Sequence, residues 1–403
     1  MKRWDLVLFG ATGFTGRYAA RYLDEYAPEG ISIALAGRSK GRLEALSKTL
    51  KRDVDLIVAD VTDEASVDAM VAQARVIATT VGPYTLYGTP VVTAALRHGT
   101  HYCDITGETP WVRELIDVHH EQAEADGVCV VPLCGFDSIP SDLGTWMMVN
   151  YLRSEYGLST RRVRGWFQAK GGLNGGTLAS ALTLNQSENI RRMAHPFLLS
   201  PGFKASELQR EESADPRRLV HHPQWGWSPP FFMGAINTRV VRRSQQLQAL
   251  RGEPYGEDFT YQEYLGIGAG QSKFKASTAT FAQGLTVGLL SSAVGRTLAK
   301  LFGPKPGQGP SEAMVRDGFF KLTLLAEASD GTLHWGKVVG DGDPGNANTV
   351  RMLCESALCL VESEPSEVNG GVVTPSVAMG PRLLARLRAA GMTWEAGVDA
   401  PTR

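Results

Sequence analysis

Three glycines, Gly10, Gly13 and Gly16, stand three residues apart behind the apolar run that opens the chain, in "LFGATGFTGR" (residues 8–17). Between a strand and a helix, glycines at this spacing bring bare backbone N–H groups against a pyrophosphate. Gly10 permits a sharp turn, Gly13 lets backbone approach the phosphates, and Gly16 lets the helix pack on its strand. Ala11, Thr12, Phe14 and Thr15 complete the turn. Taken alone, the triplet also fits a tight turn that binds nothing. A second stretch, "LAGRSK", selects the dinucleotide, because Arg38, Ser39 and Lys40 stand where NAD-binding chains usually carry an acid for the ribose 2′-hydroxyl. Arg38 can clamp a 2′-phosphate with its planar fork, with Ser39 and Lys40 beside it, so the expected cofactor is NADPH. The alternative is a solvated surface charge.

Further candidates follow the glycines. Asp60 either reaches the adenine amine or caps the next helix. Thr80, Val81, Gly82 and Pro83 belong to "TTVGPYTLYG" (79–88), read as a loop lying against the nicotinamide ribose. Tyr84 is the first candidate to polarise a substrate carbonyl, since a phenol donates a strong hydrogen bond, and Tyr87 offers a hydroxyl or a ring face. Asp137 and Cys134, in "LCGFDSIPSD" (133–142), are the other catalytic candidates. Ser141 fits a catalytic role or the cap of a helix over 142–154. No metal site is expected: His221-His222 are adjacent and cannot share a helix face.

These residues need a frame. Apolar runs at 4–10, 31–37, 54–60, 75–82, 100–105 and 128–133 read as six strands alternating with helices. Thr89-Pro90 and Thr109-Pro110 look like helix starts. The pattern is that of an α/β Rossmann fold, a doubly wound parallel sheet covered on both faces. Ligands of such sheets lie outside the carboxyl ends of the strands, where the segments above converge with "CDITGE" (103–108). Beyond residue 150, stretches at 162–169, 231–240 and 258–266 alternate like half-buried strands, and 318–340 reads as a hairpin turning at Asp330-Gly331. Helices are expected at 176–193, 275–301 and 346–361, and a last one near Thr374-Pro375. The expected organisation is an NADP-binding domain over 1–150 and an α+β substrate domain with a largely antiparallel sheet over 151–370. The C-terminal segment 371–403 is read as a helix returning to the first domain. Trp225, Trp227, Phe231 and Phe232 form either a packed loop or a wall of an apolar substrate pocket. Arg239, Arg242 and Arg243 form either a dicarboxylate-binding cluster or a solvated helix face.

The chain has 403 residues and a net charge of −1, with no basic excess to follow a phosphate backbone, so nucleic acid is excluded as a partner. Five cysteines without metal spacing read as reduced thiols of a cytoplasmic protein, with Cys354 and Cys359 in the core. Residues 276–295 carry no charge, yet about half are Ser, Thr, Gln or Gly, too polar for a lipid-embedded span. Val287, Leu290, Val294, Leu298 and Leu301 recur at helical spacing. The helix so predicted either faces the core or offers 276–302 to a lipid surface or a partner.

The stretches "VLFGATGFTGR", "ALAGRS", "TTVGPYTLYGTPVV", "YCDITGE" and "CGFDSIPSDLG" together resemble the saccharopine dehydrogenase-like oxidoreductases. Within them the chain is most similar to the trans-acting enoyl reductases of mycobacterial lipid and polyketide biosynthesis. "NTRVVRRS", "GPKPGQGPS" and "VVTPSVAMGPRLLARL" extend the likeness through the second half. The resemblance implies a Rossmann domain joined to a substrate domain and NADPH as hydride donor. The expected activity is reduction of a carbon–carbon double bond in a carrier-bound acyl intermediate, with a polyketide or fatty-acid synthase as partner. Two alternatives stay open: an imine or carbonyl reductase of the saccharopine dehydrogenase type, and a non-catalytic nucleotide-binding protein associated with lipid.

Overall fold

A computed structural model describes residues 2–401 other than 173, 185–190, 269, 271, 293–294, 296, 298–302, 306 and 364–369. The first third alternates strand and helix: β1 (Trp4–Phe9), α1 (Phe14–Tyr26), β2 (Ile33–Gly37), α2 (Lys40–Ser47), β3 (Asp55–Val58), α3 (Glu64–Val71), β4 (Ala74–Thr79), α4 (Tyr84–Arg97), β5 (His101–Asp104), α5 (Thr109–Ala125) and β6 (Cys129–Val131). Every pairing in this sheet is parallel, in the spatial order β6-β5-β4-β1-β2-β3. Burial on both faces explains the unbroken apolar runs, with Leu6, Val7 and Leu8 wholly inside.

Three helix starts differ from the sequence expectation. α4 begins at Tyr84 and not at Pro90, so "YTLYG" is helix and not loop. Its first turn is held by a carboxylate from elsewhere in the chain, that of Glu108, which accepts from the amides of Tyr84 and Thr85. α5 starts one residue early, with Glu108 at its cap position. α6 (Ile139–Tyr156) starts behind Ser138. Ser141 lies inside that helix and donates to Glu263 Oε2 at 2.7 Å, so it is not the cap.

The second half contains β7 (Thr160–Lys170), α7 (Gly175–Leu184), α8 (Glu207–Glu212), β8 (Val220–His222), β9 (Gly226–Ser228), α9 (Gly234–Leu250), β10 (Thr260–Leu265), α10 (Lys273–Ser291) and α11 (Glu312–Arg316). After these come β11 (Phe319–Ala328), β12 (Leu333–Asp341), a π-helical turn (Pro344–Asn348), α12 (Thr349–Val361), β13 (Gly371–Val372), α13 (Pro375–Ala389) and β14 (Thr393–Val398). A five-stranded sheet runs β10-β7-β11-β12-β14, antiparallel except where β10 meets β7. β13 adds a seventh parallel strand beside β6, and β14 returns to the edge of the second sheet. The last segment thus serves both sheets.

The expected strand at 231–240 is instead the start of α9. That helix is buried almost all round, from Ile236 to Gln248, polar residues such as Asn237, Arg239 and Ser244 included, so polar positions do not mark a solvent face and give no clear helical period. α6, α12 and α13 fill the space between the sheets: a Cβ on Gly144 would come within 3.0 Å of Leu324 and 3.3 Å of Val338. One apolar cluster therefore runs from Leu6 and Leu8 through Cys354 and Leu383 to Phe320 and Trp394. All five cysteines are buried free thiols.

Candidate active site

The glycine turn is built to a tolerance that admits no side chain. Gly10 has φ +87°, and a Cβ there would lie 2.7 Å from Thr80 Oγ1 and 2.9 Å from Val81 Cγ2. A Cβ on Gly16 would come within 2.1 Å of the Gly10 carbonyl. The amides of Gly10 and Ala11 are tied to the Ala36 carbonyl at 2.9 and 3.1 Å, which fixes the turn on β2. α1 starts behind Gly13 with no side-chain cap and no acid in its first turn. Its leading N–H groups therefore have no partner within the helix, and the dipole adds partial positive charge. These features fit the pyrophosphate of a dinucleotide.

Arg38 is exposed at the end of β2 and makes no ion pair among the described residues, with Ser39 at the cap of α2. A free fork here fits a 2′-phosphate. Lys40 lies 3.9 Å from Glu44, a loose exposed pair. Asp60 closes its own turn, accepting from the Thr62 amide at 3.0 Å and the Thr62 hydroxyl at 2.9 Å, and those bonds hold its carboxyl below the usual range. The cap of α3 is Asp63, which accepts from Ala65, so Asp60 is not that cap. Thr80 faces Gly10, Val81 N–H is held by Thr79 Oγ1 at 3.1 Å, and the Gly82–Pro83 peptide is cis ahead of α4. The structure thus gathers the glycine turn, Arg38 and Thr80–Pro83 at the carboxyl ends of β1, β2 and β4.

The catalytic candidates separate. Tyr84 points inward: its hydroxyl donates to the Thr79 carbonyl at 3.1 Å, accepts from the Ile105 amide at 3.4 Å, and its ring stacks on Trp111. With its single proton committed and its ring buried, Tyr84 is a structural residue rather than a donor to substrate. Cys134 is likewise inside, its thiol donating to the Val131 carbonyl at 3.3 Å and raised well above its ordinary pKa by burial. Asp137 is different. Its half-buried carboxylate makes no hydrogen bond among the described residues, and it faces Gly107, where a Cβ would sit 3.4 Å from Oδ2. Burial pushes this carboxyl up to about 6. The neighbouring Ser138 Oγ is buried and also without a hydrogen bond.

The second half of the chain meets the same ends. Ile236, in the first turn of α9, would be 3.4 Å from a Cβ on Gly107, beside Asp137. Phe136 packs edge-on against Phe320 and Phe167, and Phe231 stacks on Phe167 at 4.7 Å. Of the four aromatic residues of the predicted pocket wall, Phe231 joins this group directly, and the exposed Phe232 meets the Phe231 ring edge-on at 5.3 Å. Trp225 stacks on Trp166 instead, in a separate cluster with Tyr264 and Trp335. Residues 307–309 reach α1, since Gly309 lies against the Phe14 ring and Arg17 donates to the Gly307 carbonyl at 3.4 Å.

Neither reading of the three arginines holds. Arg239 is fully buried in an ion pair with Asp215. Arg242 donates to the carbonyls of Pro196, Ser213 and Tyr261, and Arg243 donates to Gln246 and the Val372 carbonyl. They brace α9 from inside the protein, and the Nε donors they leave unpaired are themselves buried, away from any dicarboxylate in solvent.

Glu108 was not foreseen. Fully buried, it accepts from Tyr84 and Thr85 amides, from the Thr85 hydroxyl, and from Ser180 Oγ of α7 at 2.8 Å. The acid closing "YCDITGE" was its one sequence signal. Asn174 and Asn346, bonded at 2.7 Å beside Asp343, were also missed, because they come together only through the fold.

Residues 6–131 match the family described as the saccharopine dehydrogenase NADP binding domain. A protein of Mycobacterium tuberculosis provisionally named a trans-acting enoyl reductase is 37% identical over 413 residues, covering 97% of both chains. The trans-acting enoyl reductases of Mycobacterium ulcerans and Mycobacterium leprae are 35% and 33% identical, again over 97% of both chains. The chain belongs to the trans-acting enoyl reductase family. It is an NADP-dependent oxidoreductase with a saccharopine dehydrogenase-type fold. The apo saccharopine dehydrogenase of Saccharomyces cerevisiae shares that fold at a TM-score of 0.54 and 14% identity, over 98% of this chain and 99% of its own. The homospermidine synthase of Legionella pneumophila does so at 0.53 and 9%, over 100% of this chain and 92% of its own. Among the described residues no helix is long and apolar enough to cross a membrane.

Proposed function

We propose that this chain reduces the carbon–carbon double bond of an α,β-unsaturated acyl thioester, delivered on a carrier by a partner polyketide or fatty-acid synthase. The names of its relatives support the reaction class. The observation on this chain that carries the site assignment is Asp137, a half-buried residue whose carboxyl makes no hydrogen bond among the described residues, beside Gly107 and near Ile236.

NADPH, when bound, supplies the hydride, which adds to the β carbon. The π bond opens toward the thioester, and an enolate forms that must take up one proton at the α carbon. Asp137 holds that proton. Its raised pKa keeps a fraction of the carboxyl protonated near neutral pH, and a low-polarity setting strengthens its hydrogen bond to the enolate. Phe136, Phe231 and Ile236 exclude water and meet the acyl chain. The turn of Gly10 to Gly16, with Ala11, Thr12, Phe14 and Thr15, holds the pyrophosphate. Arg38, Ser39 and Lys40 take the 2′-phosphate, and Thr80–Pro83 lie along the nicotinamide ribose. Asp60, its carboxylate engaged with Thr62, stands at the adenine end.

The test is a panel of enoyl thioesters of varied chain length, with NADPH oxidation followed at the nicotinamide absorbance band. Oxidation with enoyl thioesters, slowed about a hundredfold or more in Asp137→Asn, is expected. Turnover confined to mixtures of an amino acid and a keto acid would refute the reading. Unchanged kcat in Asp137→Asn would leave the reaction but remove Asp137 from it.

A further inference from the structure

Helix α10 (Lys273–Ser291) turns its largest apolar side chains away from the protein. Phe274, Phe281 and Leu285 are 78%, 73% and 64% exposed. At about 100° per residue they fall within an arc of roughly 40° on one side of the helix. Ala276 and Gln283 lie on the opposite side: Ala276 is fully buried, and Gln283 Nε2 donates to the Pro230 carbonyl at 3.1 Å. The exposed stripe is therefore not the one the sequence periodicity suggests. The side chains of Val287 and Leu290 and all of Val294, Leu298 and Leu301 lie outside the described residues.

Charge is also one-sided here. Residues 264–311 contain Lys273, Lys275, Arg296, Lys300 and Lys305 and no Asp or Glu, in a chain whose net charge is −1. Lys273 stands over the Trp227 ring at 5.0 Å, and Lys275 is exposed with no ion pair among the described residues.

We propose that α10 lies in the headgroup region of an anionic lipid surface, with Phe274, Phe281 and Leu285 inserted and Lys273 and Lys275 against the lipid phosphates. An aromatic and aliphatic stripe flanked by lysines is what interfacial binding requires, and apolar insertion and charge attraction act together. A second copy of the chain is the poorer occupant, because it would bring two acid-free basic segments together. The inference does not depend on which substrate the active site takes.

The experiment is flotation of the full chain with vesicles of phosphatidylcholine alone or mixed with phosphatidylglycerol. Co-flotation with the anionic vesicles, little with the neutral ones, and a loss of about tenfold in a Phe274→Ser/Phe281→Ser/Leu285→Ser variant are expected. Lys273→Glu/Lys275→Glu should weaken binding as well. NADPH affinity serves as the check on folding, and Phe281→Ser alone replaces the triple variant if that check fails. Absence of flotation with anionic vesicles, or equal flotation of the variants, would overturn the proposal. A dimer in sedimentation that the same substitutions dissociate, with no vesicle binding, would overturn it in favour of a second copy.

Discussion

The two halves of the candidate site at the carboxyl ends of the parallel strands are built in opposite ways. The nucleotide half is geometry with hardly a side chain: Gly10, Gly13 and Gly16 work by what they lack, and a single added carbon at Gly16 would lie 2.1 Å from a carbonyl oxygen. The proposed reacting half is an open carboxylate among polar groups that mostly have partners, the adjacent Ser138 Oγ excepted. Tyr84, Asp104, Glu108, Cys134, Ser141 and Glu263 all have partners, and Asp137 has none among the described residues. Polar residue type alone therefore does not mark the chemistry in this fold. On the proposed reading, the chemistry falls to the one of these acids whose carboxylate makes no hydrogen bond among the described residues.

Breaking the first half should have the largest effect. Gly16→Ala forces the helix off its turn and should abolish measurable NADPH binding by calorimetry, a loss of about a hundredfold or more, with a lowered melting temperature. Glu108→Ala separates scaffold from chemistry. It leaves the buried Tyr84 amide and the Thr85 amide of α4 without their acceptor and should cost about 2 kcal/mol in urea denaturation, with Glu108→Gln recovering part. Arg38→Ala should weaken NADPH about tenfold while leaving NADH nearly unchanged, and equal losses for both would remove the 2′-phosphate assignment.

The smallest effect is a pH dependence. In the proposed role Asp137 is an acid whose carboxyl burial pushes up to about 6, so kcat/KM should fall as pH rises through that value, and Asp137→Asn should flatten this limb. Stability carries the same sign. A carboxyl whose folded pKa is raised above its unfolded value binds its proton more tightly in the folded chain. That contribution is therefore present at low pH and lost between about 4 and about 6. Melting curves of wild type and Asp137→Asn across that interval should converge toward low pH and separate in favour of the variant above it.

What the sequence disclosed divides along the same line. The glycine turn, "LAGRSK" and the six parallel strands were legible because each is local: a period, a turn residue or a cap acts within a few positions. β13 was too short to leave a pattern, and α9 was misread because its polar residues are buried with the apolar ones and mark no solvent face. Tyr84 drew attention as a phenol in a loop, but that loop is the first turn of α4, held by Glu108 24 residues away. The sequence could place Asp137 among the candidates. It could not show that Asp137 keeps an open carboxylate, because Gly107 and Ile236 meet it only through the fold.

The central claim, hydride addition to an activated carbon–carbon double bond with Asp137 supplying the proton, is tested most directly by isotope position. Wild type and Asp137→Asn would be run with deuterated NADPH and an enoyl thioester, and the product read by mass spectrometry and NMR. The expected result is one deuterium at the β carbon, a solvent-derived proton at the α carbon, and the same product formed far more slowly by the variant. Deuterium at a carbonyl or imine carbon, or no label transferred to any enoyl thioester, would contradict the account.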